Sequence, residues 1–333
     1  MSRINALKKI YAMSRRLSRQ RGGGALKYFL DGAYCSYKHG ASPENYFVLR
    51  FFEMSNAQRE LFLTSGRSKA ADKALNRNAS AEQKAIVGDK SLFNREMKNY
   101  VNRDSLFAPD ADFEDFSAFL DKHGEFFIKP VSGTMGKGIE KLRSGDVADR
   151  RGFFRRCQAE RLLLEEPIVQ HAELERVCPG CVNTVRINAA RRADGSVCLV
   201  GACLKCGGDG AVTDNFHSGG IAYPLNIETG IVSGAGRNNT ELKDYVNHPA
   251  SGVYMPAFQV PNFEAVKACV IGAMERLDTL GYVGWDVAVT PAGAELIEGN
   301  YNWPGGNIIQ FDGVGKYPII RECLAYDIER DTD

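Results

Sequence analysis

GYVGWDVAVTPAGAELIEGNYNWPGG, residues 281–306, reads as a β-hairpin. Val283 to Thr290 and Ala294 to Asn300 are strand-like runs on either side of Pro291, Ala292 and Gly293. A three-residue turn sets Asp286 across from Glu298. Alternation along a strand points Glu298 and Asn300 the same way, and Asp286 joins them. Two carboxylates and an amide oxygen on one face form a hard donor set suited to Mg2+ carried by a nucleotide. The alternative is a solvated polar face on an edge hairpin. Against it, the acids alternate with Val, Ala, Leu and Ile in strands that otherwise look buried, where unpaired charge is costly.

Upstream, Phe263 to Leu280 is a long amphipathic helix. Before it, Val182–Arg191 and Val197–Lys205 form an antiparallel pair around the turn Arg192-Ala193-Asp194-Gly195. Arg186 sits mid-strand among β-branched residues. A buried guanidinium needs an anion, and its five-donor fork suits phosphate; an internal carboxylate is the other option. Lys205, ending the second strand, joins Arg186 as a candidate catalytic residue. The polar loop Asp214-Asn215-Phe216-His217-Ser218-Gly219-Gly220 suits a substrate-facing role. His217 in it is a candidate base, though a structural histidine is the more ordinary assignment.

Cys178-Pro-Gly-Cys181 and Cys203-Leu-Lys-Cys206 have the spacing of a structural zinc site. A hairpin turning at Asp194 brings Cys181 beside Cys206, yet leaves Cys203 pointing to the opposite face from Cys206. Three ligands converge and a fourth does not, so buried free thiols are expected over zinc.

Further back, Leu162 to Gln170 is an apolar strand whose end carries Glu165, Glu166 and Pro167. Proline there leaves unpaired backbone groups of the kind an adenine ring reads, and Glu173 follows as a candidate acceptor for ribose hydroxyls. Glu125 to Val131 is a short strand ending on Lys129 and Pro130. Ser132-Gly133-Thr134-Met135-Gly136-Lys137-Gly138 follows, then a second strand, Ile139 to Leu142. Backbone N–H groups of such a loop can fold over phosphate, with Lys129 as a point charge; a plain hairpin turn is the commoner use. The loop is neither a Walker pattern nor a dinucleotide fingerprint, because a strand and not a helix follows it. Helices are expected over Gly152–Arg161, Asp115–Lys122 and from Asp89 to near Asn99, the last carrying Lys90.

Shorter helices are expected over Ser80–Ile86, Asn56–Leu63 with Asn56 as its cap, and Pro43–Phe52. Before them, Arg3, Lys8, Lys9, Arg15, Arg16, Arg19, Arg21 and Lys27 fall in thirty residues without an acid. That spells a basic amphipathic helix closed by Gly22-Gly23-Gly24. It either leans on the domain or makes peripheral contact with anionic lipid or an acidic partner. The 333 residues are 44% hydrophobic and 25% charged, as in an ordinary soluble globular protein with room for two or three subdomains. A net charge of +1 gives no global field toward nucleic acid. No apolar run is long enough to span a bilayer, and no signal-peptide core follows Met1. Nine cysteines, an odd number among apolar residues, favour free thiols in a reducing, cytoplasmic setting.

In order, the chain offers a helix with Lys90, a strand with Lys129, a glycine loop, an apolar strand ending in acids, a strand arginine, then Asp286, Glu298 and Asn300. That arrangement resembles the ATP-grasp superfamily, and the D-x11-E-x-N spacing is similar to its metal signature. ENYFVLRFFEMS, DKSLFN, FIKPVSGTMGKGI, VNTVRINA, DNFHSGGI and the hairpin resemble the sugar-transfer-associated ATP-grasp family in particular, from about Pro43 to the end. The cysteine pairs are not part of that pattern, and the leading basic helix is variable in it.

The resemblance implies an α+β ATP-grasp fold in which two α+β subdomains clamp a nucleotide. Residues 1–85 would form a mainly helical N-terminal portion, 86–165 the small lid with the glycine-rich loop, and 166–333 the catalytic, metal-binding part. It implies ATP, with Lys90 and Lys129 on the phosphates and Ser132, Gly133, Thr134, Met135, Gly136 and Gly138 in the closing loop. Glu165, Glu166 and Ile168 would lie at the adenine, the last two as hinge, with Glu173 on the ribose. Asp286, Glu298 and Asn300 would hold two Mg2+ ions, and Arg186 would steady the transferring phosphoryl group. The implied activity is ADP-forming ligation of a small carboxylate to an amine, or less often a thiol or hydroxyl, through an acyl phosphate. The family association points to saccharide assembly. A phosphotransferase, or a zinc-stapled binding module that uses the basic N-terminus, are the alternatives.

Overall fold

The computed structural model describes residues 3–131, 138–211, 213–239, 241 and 243–330. The chain opens with two packed helices, α1 (Arg3–Arg21) and α2 (Ala25–His39). α1 stops where Gly22 and Gly23 adopt φ of 74° and 80°, a conformation that L side chains resist. Five further helices follow: α3 (Pro43–Val48), α4 (Asn56–Glu60), α5 (Ser65–Leu75), α6 (Ala81–Gly88) and α7 (Lys90–Glu96). Ser42, Ser55, Thr64, Ser80 and Asp89 cap them, each side chain accepting a backbone N–H of the first turn. The cap of α4 is therefore Ser55 and not Asn56. The Ser55 hydroxyl accepts from the Gln58 N–H, while Gln58 Oε1 accepts from the Ser55 N–H.

A four-stranded antiparallel sheet comes next. Its strands are β1 (Ser105–Phe107), β2 (Glu125–Pro130), β3 (Glu140–Arg143) and β4 (Leu162–Glu165), in the order β1-β4-β2-β3. Helices α8 (Phe113–Lys122) and α9 (Arg150–Ala159) bury Phe116, Phe119, Phe154 and Cys157 against Phe126, Ile128 and Leu164 of the sheet. β4 is shorter than the expected strand to Gln170. After Glu165 the chain runs through Pro167 into α10 (Ala172–Val177).

The larger sheet has β5 (Thr184–Arg191), β6 (Val197–Cys206), β7 (Ile221–Leu225), then, after α11 (Phe263–Arg276), β8 (Tyr282–Thr290) and β9 (Gly293–Asn300). Its order is β7-β6-β5-β8-β9, antiparallel throughout. One face, with Val185, Ile187, Leu204, Trp285 and Val287, packs on Ile86 of α6, on Phe93 of α7 and Met97 just after it, and on Val266 and Val270 of α11. The other face, with Val200, Cys203 and Tyr282, packs on Leu17, Cys35, Phe47 and Phe51 of the N-terminal region and on Ile320 of α12 (Tyr317–Arg330). The helical N-terminal portion thus closes one side of the large sheet.

The hairpin β8–β9 pairs Asp286 with Glu298, as its sequence suggests, but by a different route. Thr290 pairs with Gly293, so the loop holds two residues, Pro291 and Ala292. Continued regularly, that register would set Asp286 opposite Ile297. A bulge intervenes: Val287 pairs with Leu296 and Asp286 with Glu298, leaving Ile297 as the extra residue.

Candidate functional site

Charged side chains collect on the face of the large sheet that looks away from Trp285. β5 brings Arg186 between Cys203 of β6 and Asp286 of β8, and Thr184 beside Lys205. Arg186 donates from Nε and Nη2 to Asp286 Oδ1 and Oδ2, both at 2.7 Å, and from Nη1 to the Pro304 carbonyl at 3.0 Å. Lys205 Nζ lies 3.0 Å from Asp286 Oδ1 and 3.5 Å from Asp214 Oδ2. Asp214 also accepts the Thr184 N–H at 3.2 Å and the Thr184 hydroxyl. Arg186, Lys205 and Asp286 are all buried.

Two cations and two carboxylates therefore balance in a low-dielectric site. Burial pushes the Asp286 carboxyl up, but Arg186 and Lys205 outweigh it and hold it far below the usual carboxylate range. Asp214 goes the other way. Burial raises it, Asp286 adds to the rise, and Lys205 only partly offsets this. Lys205 and Arg186 stay charged despite burial, because these carboxylates face them.

Across the strand pair, Asn300 Nδ2 donates to Glu298 Oε1 at 3.1 Å, so Glu298 and Asn300 share a face. Glu298 Oε2 and the Asn300 amide oxygen remain as acceptors beside Asp286. Among the described residues no cluster of three His, Cys, Asp or Glu side chains is arranged to hold a metal ion unaided. The donor set fits a different kind of site. Two carboxylates and an amide oxygen suit Mg2+, which keeps several waters and completes its shell with phosphate oxygens.

A second buried cluster joins the two sheets. Lys129 of β2 pairs with Glu165 of β4, and Asn94 Nδ2 donates to Glu165 Oε1 at 2.8 Å. Arg103 Nε lies 3.3 Å from Glu165 Oε2, and its Nη1 donates to Glu295 Oε2 at 3.2 Å and to the Leu296 carbonyl at 2.8 Å. Burial raises the Glu165 carboxyl, but Arg103 and then Lys129 bring it down to about 2. Lys129 and Glu165, both anticipated at the nucleotide, thus touch each other.

The remaining candidates divide. Lys90 opens α7, and its N–H donates to the Val131 carbonyl at 3.3 Å, which ties it to the end of β2 near Lys129. Ser132, Gly133, Thr134, Met135 and Gly136 lie outside the described residues. Gly138, at φ 76°, would press a Cβ to 3.0 Å from Pro130 Cγ. Glu166 is held by Asp104: its N–H donates to the Asp104 carbonyl at 2.9 Å and its Oε2 accepts the Asp104 N–H at 3.0 Å. The Glu166 N–H is therefore already used, which leaves its carbonyl and the Ile168 backbone for the expected adenine hinge. Ile168 is half-buried in the extended stretch before α10. Glu173 is exposed in the first turn of α10, paired with Arg176 at 2.7 Å. His217 sits in a 3-10 turn, its Nδ1 3.4 Å from Asn239 Nδ2, and these contacts do not join it to the Asp286 cluster.

Cys203 packs among the N-terminal helices while Cys206 lies in the opposite core, so the two face apart as the strand requires. Cys178 and Cys181 sit together against Gly207. Arg103, Glu295 and the ion-pair role of Asp214 went unseen in the sequence. Arg103 stands in the polar run Asn102-Arg103-Asp104, where no periodicity marks it as buried.

Three comparisons bear on this arrangement. A family model described as sugar-transfer associated ATP-grasp matches residues 71–318, well over half of the chain. No curated protein matches in sequence. Similar solved structures include the ATP-grasp ligase PsnB complexed with minimal precursor, at 16% identity over 75% of this chain and 64% of that chain, TM-score 0.44. The D-Ala:D-Ser ligase VanG from Enterococcus faecalis is similar at 13% identity over 74% of this chain and 64% of its own, TM-score 0.47. PurK, an N5-carboxyaminoimidazole ribonucleotide synthetase seen as its ADP complex, is similar at 11% identity over 67% and 47%, TM-score 0.44. The chain spans less than two thirds of each of these structures.

Proposed function

The chain belongs to the sugar-transfer associated ATP-grasp family, and from this we propose that it is an ATP-dependent, ADP-forming ligase. The observation that carries the reading is the Asp286–Glu298 register pair, with Asn300 on the same face and Arg186 and Lys205 against Asp286. In this reading Asp286, Glu298 and Asn300 hold two Mg2+ ions. Bound magnesium would supply charge neutralisation at the transferring phosphoryl group.

The side chains supply position and field. Lys205 has three N–H donors and two carboxylate neighbours, so one donor is left for a phosphoryl or carboxylate oxygen. Arg186 is locked by its fork on Asp286 and the Pro304 carbonyl, so its charge meets a developing anion without reorganisation. Lys90 and Lys129 would face the phosphates, and the loop from Ser132 to Gly138 would exclude water from the reactive acyl phosphate. The adenine would be read at Glu166 and Ile168, and the ribose at Glu173. A carboxylate oxygen attacks the γ-phosphorus and the bond to ADP breaks. An amine then displaces phosphate from the acyl carbon and loses a proton. Residues 86–165 would act as the lid and 166–333 as the catalytic part, in a cytoplasmic enzyme of saccharide or other specialised biosynthesis.

Glu298→Gln tests this. It keeps the size and the Asn300 contact but removes a charge, and ADP release should vanish while the circular dichroism spectrum stays unchanged. Normal turnover in that variant removes the assignment. Screening carboxylate and amine pools for ADP release, with product mass as readout, separates a ligase from a phosphotransferase, which forms no amide.

A further inference from the structure

We propose that the α1–α2 hairpin docks the protein onto an anionic lipid bilayer. The evidence is the outer face of the hairpin and does not depend on the ligase reading.

On α2 the inward face holds Gly32, Cys35 and His39, all buried. The outward face should be polar in a solvated helix, and it is not. Leu26 is 67% exposed, Leu30 58% and Tyr37 92%, with Tyr34 exposed beside them. Spacings of four, four and three residues put these side chains in one continuous stripe. Soluble monomers rarely leave such a row uncovered.

α1 supplies the complement. Ile10, Ser14 and Leu17 face the interior. Lys8, Arg15 and Arg19, seven and four residues apart, fall on the exposed side directly opposite. Leu7 and Tyr11 are exposed along its border with α2, where the Tyr11 ring meets Phe29 edge-on at 6.0 Å. Crossing the hairpin, one passes from a basic row through Leu7 and Tyr11 to an apolar row. The cations on the hairpin's flank are already matched, Lys9 with Glu44 and Arg21 with Glu53. Among the described residues, Lys8, Arg15, Arg19 and Lys27 have no acidic partner. The first acid of the chain, Asp31, is turned toward Arg59 at 2.7 Å.

Leu and Tyr on one row with Lys and Arg on the next is the composition of a helix lying in a membrane interface. The apolar row enters the acyl boundary while the cations meet anionic headgroups. Charge complementarity selects an anionic surface over a neutral one. The chain as a whole carries only +1, so this charge is a local feature. Among the described residues no helix is long and apolar enough to cross a membrane, so the contact is peripheral.

The test is co-sedimentation of the full chain with vesicles of phosphatidylcholine alone and of phosphatidylcholine with about 30% phosphatidylserine. Binding is expected to the second and not the first, and to weaken as salt rises. Arg15→Glu with Arg19→Glu should lower the partition coefficient at least about tenfold. Leu30→Ser with Tyr37→Ser should do likewise. Both pairs are exposed and make none of the contacts of the Asp286 cluster, so thermal unfolding and ATP turnover should be unchanged. No binding to either vesicle, or equal binding to both, overturns the proposal. So does a dimer in solution that these substitutions convert to monomer, because a second copy would then be what covers the stripe.

Discussion

Replacing Arg103 with Met isolates the ion pair that joins the two sheets. The guanidinium is fully buried between Glu165 of the small sheet and Glu295 of the large one. Met fills much of the volume but carries no charge. Glu165 would keep Lys129 and Asn94, whereas Glu295 would keep only the backbone N–H groups of Asn102 and residue 103, now at 3.0 and 3.2 Å. Removing one partner of a buried pair costs about 3–5 kcal/mol. Lys129 still covers one of the two acids, so the lower end, about 3 kcal/mol, is expected from urea unfolding near neutral pH. The pH dependence supplies a second readout. In the native protein the Glu165 carboxyl is held at about 2 against an ordinary 4.5. A depressed carboxyl contributes stability that is complete above its unfolded value and is lost as pH falls through its folded one. Wild type should therefore lose this contribution between about pH 4.5 and about pH 2, and the variant should lose less of it. The gap between the two proteins then narrows as pH drops through that window. Adding Glu295→Gln to Arg103→Met should recover part of the loss, since the stranded charge is gone. A variant within about 1 kcal/mol of wild type at neutral pH, the range of surface ion pairs, refutes the reasoning. A gap that does not change with pH refutes it as well.

Asp286→Asn and Glu298→Gln should differ in kind. The first strands Arg186 and Lys205 without their main counter-charge and should cost about 3–5 kcal/mol in urea unfolding as well as activity, whereas the second should cost activity alone. Gly284→Ala should lower the unfolding temperature markedly, because a Cβ there would lie 2.2 Å from the Pro304 carbonyl oxygen, a backbone atom that cannot swing aside; overpacking of this kind costs about 1–3 kcal/mol or more. Thiol titration with a chromogenic disulfide should proceed slowly in the native protein and reach nine equivalents in denaturant, since all nine cysteines are free and buried and burial holds Cys203 at about 12. Removing divalent cations with EDTA should end ADP release without shifting the unfolding temperature, as expected of a metal held largely by nucleotide rather than by the fold.

What could be read from the sequence follows from how local each signal is. The hairpin, the β5–β6 pair, α8, α9 and α11 carry clean periodicity or turn residues, and all appear in the structure near their expected bounds. α2 went unread because its outer stripe of Leu26, Leu30 and Tyr37 blurs the amphipathic contrast that marks a surface helix. β1 holds three residues, too few to show alternation. Arg103 is an interior residue only because Glu165 and Glu295 converge on it from strands 62 and 192 positions away.

The Asp286–Glu298 pair shows what a local argument reaches and where it stops. The expected turn was one residue too long, yet the pairing came out as expected because a bulge at Ile297 adds back the residue that the tighter loop removes. That compensation is a constraint on the hairpin: both carboxylates stay on one face only if loop and bulge occur together, since a slip of one residue would turn Glu298 away. Which groups neutralise Asp286 is a different kind of question. Arg186 becomes its neighbour only when β5 and β8, a hundred residues apart, pair in register, and Lys205 arrives through β6 on the far side of β5. Three acids, Asp214, Asp286 and Glu298, then share one face with two cations, and anything anionic that enters must arrive with its own positive charge or displace a carboxylate. A nucleotide that brings magnesium satisfies the first condition, and so the ion-pair geometry and the donor set argue for the same ligand.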